Sequence, residues 1–66
     1  MPVINIDLGL GQANEEQKKQ LIERFTRDAV EVTGIAVDKF VILINELPHE
    51  NIGVGGKSLK TLKMGH

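Results

Sequence analysis

The sequence predicts an α/β chain of the β-α-β kind: two parallel strands joined across one amphipathic helix, with a short C-terminal hairpin. Three observations carry this. Residues 2–8 alternate, residues 14–34 hold a helical apolar stripe between a capping residue and a glycine stop, and residues 39–47 are apolar on both faces. A strand, a helix and a second strand in that order imply a crossover with parallel strands. All 66 residues are read as one domain, 1–66.

In the first strand Pro2, Ile4, Ile6 and Leu8 share one face, and Val3, Asn5 and Asp7 share the other. That period of two marks a strand with one face more buried. Gly9 and Gly11 end it. Asn14 then supplies an N-cap, with Gln17 three residues on to complete a capping box. Glu15 and Glu16 fall in the first turn, where the helix dipole favours negative charge. Leu21, Ile22, Phe25, Ala29, Val30 and Val32 or Thr33 form the apolar stripe, and Gly34 is the stop. Lys18, Lys19, Glu23, Arg24, Arg27 and Asp28 lie opposite and read as a solvated face.

The second strand, "KFVILINEL", places Phe40, Ile42 and Ile44 on one face and Val41 and Leu43 on the other. A strand apolar on both faces is one covered on both. One helix covers only one face of a small sheet, so a second copy of the chain is expected on the other. After Leu47, Gly53, Gly55 and Gly56 predict a tight turn or hairpin, and residues 57–64 a short strand or a frayed arm.

Composition narrows the function. Eight basic and nine acidic residues are interspersed for a net charge of −1, and Phe25 and Phe40 are the only aromatics. Nucleic acid is not expected as a partner, because neither a basic footprint nor a base-stacking platform is present. The longest apolar run, Phe40 to Ile44, is too short to span a bilayer, and no signal peptide is read at the start. With no Cys, and His49 and His66 as the only imidazoles, neither a disulfide nor a metal site is expected. Small domains without such staples commonly oligomerise. The chain reads as a cytoplasmic homo-oligomer.

Several motifs carry little chemistry. Gly56-Lys57-Ser58 resembles the end of a phosphate-binding loop, but the first Gly of that pattern falls on Asn51. The following segment also lacks a clear helical stripe, so a glycine-rich turn is the better reading. Asp7 and Glu46 lie on strands where they could meet, though nothing in the spacing requires it. His49 sits in a loop, Ser58 has no local base, and His66 is terminal.

Pro2 is different. Initiator Met is usually removed before a small residue, and Pro2 would then carry a free secondary amine. With Met1 attached, the same nitrogen is a tertiary amide without a basic lone pair.

Met-Pro before an alternating strand, the Gly11 turn, "EEQKKQLIERFT", "VILINEL" and Gly53-Val54-Gly55-Gly56 together resemble the small-subunit 4-oxalocrotonate tautomerase family. The resemblance covers nearly the whole chain. It implies a β-α-β subunit, dimers with a four-stranded sheet, and a hexamer of three dimers. It also implies a cofactor-independent isomerase that moves a proton between an enol oxygen and a carbon of an unsaturated 2-keto acid. Pro2, freed of Met1, would be the general base. Such a base must be unprotonated at working pH; an α-amino group titrates near about 8 in water, and an apolar pocket lowers that value. Ile4, Ile6 and Ile52 are the candidate lining.

The chain departs from the family at two substrate-binding arginines, which align with Gln12 and Val41. An aromatic wall aligns with Ile52. It therefore resembles a divergent subgroup that keeps the proline and lacks the arginine clamp. Lys39, two residues before Val41, is a candidate replacement; Arg24 and Arg27, on the polar helix face, are poorer ones. The expected substrate-binding set is thus Gln12, Lys39, Val41 and Ile52. The competing reading is a catalytically weak or inactive oligomeric accessory or scaffold protein with the same fold.

Overall fold

In the computed structural model, which describes residues 1–64, the alternating N-terminal segment forms strand β1, Val3–Gly9. Helix α1 follows at Glu15–Thr33, strand β2 at Val41–Leu47, and a hairpin of β3 (Gly53–Val54) and β4 (Lys57–Ser58) leads into a short helix, α2, at Leu59–Met64. The expectation for His66 lies outside the described residues.

β1 and β2 pair in parallel, from Val3 opposite Val41 to Gly9 opposite Leu47. The ladder is extended at both ends: Val41 N–H donates to Pro2 O (3.0 Å) and Leu10 N–H to Leu47 O (2.8 Å). This register puts Ile4, Ile6 and Leu8 on the same face as Ile42, Ile44 and Glu46. α1 lies over that face, since Lys18 forms an ion pair with Glu46. Asp7 points to the other face, so it does not meet Glu46.

α1 starts and stops as its sequence dictates. Asn14 Oδ1 accepts from Gln17 N–H (2.8 Å), Gln17 Oε1 accepts from Asn14 N–H (2.9 Å), and Gly34 adopts φ +74°. Replacing Asn14 by Ala should cost about 1 kcal/mol. A urea titration showing no shift of the midpoint would remove the box from the list of stabilising contacts.

The segment before β2 differs from expectation. Val37–Lys39 forms a 3-10 turn, closed by Lys39 N–H donating to Ala36 O (3.0 Å). Lys39 is therefore not part of the strand. The C-terminal segment differs too, because a helix does follow Ser58. The Ser58 hydroxyl starts it, accepting from Thr61 N–H (3.1 Å) and donating to Thr61 Oγ1 (2.8 Å). Gly55 and Gly56 form the two-residue tip of the hairpin, with φ of +61° and +84°. Positive φ at both positions is what a type I′ turn requires. Lys57 pairs with Val54 in that hairpin rather than closing a phosphate loop.

One protomer has no core of its own. Among the described residues, no hydrophobic side chain is buried. The open sheet face exposes Val3 and Leu43, the latter by 46%, and Ile22 and Phe25 of the predicted helix stripe also remain exposed. The stripe is wider than the sheet face beneath it. The chain measures 46 × 24 × 15 Å with a radius of gyration of 15.2 Å, against about 11 Å for a compact domain of this length. Its accessible surface of 5080 Å² exceeds the roughly 4,200 Å² of a compact monomer of this mass. The excess is about what one partner contributes to a standard protein interface.

Candidate active site

The parallel register sorts the candidate residues by strand end. Pro2 lies just ahead of β1, and its carbonyl is held by Val41 N–H (3.0 Å) at the start of β2. The ring is half-buried. Lys39 is exposed in the turn immediately before this end. Pro2, Lys39 and Val41 are therefore near neighbours.

Gln12 and Ile52 belong to the opposite end. Gly9 is seven steps along the strand from Pro2, roughly 23 Å. At that far end Gln12 folds back over its own turn. Its Oε1 accepts from Gly9 N–H (3.0 Å), and its backbone N–H donates to Gly9 O (3.1 Å). A Cβ at Gly9 would stand 2.9 Å from the Gln12 side-chain amide, so a larger residue there would displace that amide from its place over the turn.

The C-terminal segment closes against this end. His49 Nε2 contacts Leu10 O (3.1 Å), Asn51 N–H donates to Pro48 O (2.8 Å), and Leu59 N–H donates to Ile52 O (2.6 Å). The result is a cleft of about 250 Å³ whose lining includes Asp7, Leu8, Gln12, Leu47, Ile52 and Leu59. Four of those six are apolar, and two, Asp7 and Gln12, can hydrogen-bond. Gln12 and Ile52 thus line the same cleft. Neither reaches the Pro2 of its own chain, so Ile52 does not line the Pro2 ring within one protomer.

Asp7, Leu47 and Leu59 were not anticipated as lining. Strand alternation placed Asp7 on a face but said nothing of what would stand over the strand end. Leu59 gave no signal, since its position depends on the hairpin and α2. Among the described residues, no group of three or more His, Cys, Asp or Glu side chains is placed to hold a metal ion. No helix among them is long and apolar enough to cross a membrane.

A family model described as "Tautomerase enzyme" matches residues 2–62. A 2-hydroxymuconate tautomerase of Comamonas testosteroni is 40% identical over 62 residues, covering 94% of this chain and 97% of that one. The chain belongs to the 4-oxalocrotonate tautomerase family of the tautomerase superfamily. By that membership its enzyme kind is an isomerase of the tautomerase type, and the scaffold reading is not favoured. The fold agrees with the assignment. A 4-oxalocrotonate tautomerase isozyme from Methylibium petroleiphilum superposes with a TM-score of 0.92 at 29% identity, covering 98% of this chain and all (100%) of that one. A heterohexamer 4-oxalocrotonate tautomerase from Chloroflexus aurantiacus gives 0.86 at 26% identity, covering 94% and 98%. Against this family background, the two-ended placement of Pro2 and Gln12 is the feature that any account of the site must accommodate.

Proposed function

We propose that the chain, once Met1 is removed, catalyses enol–keto proton transfer on an unsaturated 2-keto acid, with the Pro2 nitrogen as general base. The observation that carries this is the anchoring of Pro2. Its carbonyl is fixed to the ladder by Val41 N–H (3.0 Å) while its ring nitrogen lies beyond the last paired residue. Cleavage of the Met1–Pro2 bond would therefore leave a positioned secondary amine without disturbing the ladder. The named activity of the Comamonas testosteroni relative, 2-hydroxymuconate tautomerase, supports the substrate class.

The amine takes the enol proton and returns a proton to carbon. No electron or group is transferred, so the step asks for no cofactor. A separation of roughly 23 Å between Pro2 and the Gln12–Ile52 cleft means that one chain cannot form this site alone. In this reading a neighbouring copy brings its Gln12 and Ile52 to Pro2, with Val41 as an apolar neighbour and Lys39 at the rim. The coreless protomer and the hexameric relative from Chloroflexus aurantiacus support a homo-oligomer, most simply a hexamer.

Samples with Met1 removed and with Met1 retained, distinguished by intact mass, test the reading. Ketonisation of 2-hydroxymuconate and phenylenolpyruvate should proceed only with the processed chain. Equal rates in both samples would rule out Pro2 as the base.

A further inference from the structure

Gln12 and Leu8 also line a second cleft, of about 340 Å³, formed with α1. Its apolar lining includes Leu8 and Leu21, and its polar lining is Gln12, Gln17, Gln20 and Arg24. No carboxylate is among the lining residues.

The polar groups are biased toward donation. Gln12 Oε1 is taken by Gly9 N–H (3.0 Å) and Gln17 Oε1 by Asn14 N–H (2.9 Å). A backbone N–H can only donate, so in each amide the oxygen is fixed as the acceptor and the NH₂ is left to donate. Arg24 has donors alone and forms no ion pair among the described residues. Three of the four polar side chains thus offer donors to a ligand that must supply acceptors, and one of the three is a permanent cation.

We propose that this cleft binds the second carboxylate of a dicarboxylate substrate, with Arg24 as the residue that pairs with it. The proposal rests on the tautomerase reading above. Gln12 is the common wall of the two clefts: the reacting end of the substrate occupies the Asp7–Ile52 side and the remote carboxylate the Arg24 side. Leu8 and Leu21 contact the carbon chain between them. The guanidinium fork matches a carboxylate in a way that an amide cannot. Helical periodicity put Arg24 on a solvated face, yet the fold brings it to the same cavity as Gln12, where the family's first arginine is missing.

The test uses adipate, a six-carbon dicarboxylate without an enol, with hexanoate as the one-carboxylate control. Both are titrated calorimetrically into the assembled protein. Arg24→Ala should weaken adipate binding by about tenfold, the loss expected for one charge-assisted contact, and change hexanoate binding little. Arg24→Lys should recover part of the loss. In turnover, Arg24→Ala should raise KM for 2-hydroxymuconate by a similar factor and leave phenylenolpyruvate unchanged. Because adipate has no enol proton to transfer, the effect of Arg24→Ala on its binding is read without turnover, which separates this proposal from the assignment of the base. Failure of the unaltered protein to bind adipate, or an equal effect of Arg24→Ala on both acids, overturns it.

Discussion

Replacing Pro2 by Ala should lower kcat for enol ketonisation by about a hundredfold or more, within the range typical of a positioned general base. Alanine is small enough for Met1 still to be removed, so an amine remains in nearly the same place. What is lost is orientation. The pyrrolidine ring fixes φ, and with the carbonyl held by Val41 N–H the nitrogen lone pair has a defined direction. An alanine amine rotates about that bond, and small losses of alignment between base and substrate are costly. The ladder bond uses the backbone carbonyl, which Ala keeps, so circular dichroism and sedimentation should not change. Unaltered kcat in a correctly processed, correctly assembled Pro2→Ala protein would place the base elsewhere.

A charge at the centre of the open sheet face should undo the protein as a folded object. Leu43 is 46% exposed in one protomer, opposite Asn5 in the register. In the proposed assembly it is covered by another copy. Leu43→Glu would bury an unpaired carboxylate there, at a cost of at least about 3 kcal/mol, equivalent to roughly 12 °C or more in Tm for a chain this small. With no buried hydrophobic side chain among the described residues to support a free protomer, dissociation and unfolding should coincide. Sedimentation should show loss of the assembly, far-UV circular dichroism should show loss of structure at the same concentration, and Tm of the unaltered protein should rise with concentration. A folded Leu43→Glu monomer would contradict the packing, as would a variant that assembles and melts like the parent.

The elements that could be read from sequence were those with local causes. Asn14 and Gln17 cap one another within four residues, and Gly34 stops α1 through its own φ. Alternation in β1 and the apolar run of β2 needed only the period of a strand. Lys39 was misplaced because an apolar strand pattern does not show where its first ladder bond forms; the 3-10 turn at Val37–Lys39 delays it to Val41. The helix α2 was missed because six residues hold too few turns to display a stripe, and its start depends on the Ser58 hydroxyl rather than on periodicity.

By itself the sequence determined the β-α-β order, the limits of α1, the glycine turn and the candidacy of Pro2, because each depends on neighbours along the chain. Tertiary structure alone decided which of the candidate residues share an end of the protomer. Parallel pairing puts both strand starts at one end and both strand finishes at the other, so Pro2 meets Val41 while Gln12 meets Leu47 and Ile52. It also decided that Arg24, still exposed at the surface, lines the same cleft as Gln12. Helical periodicity gives the angle of a side chain about its own axis, and only the placement of that axis against β1 tells what the side chain meets.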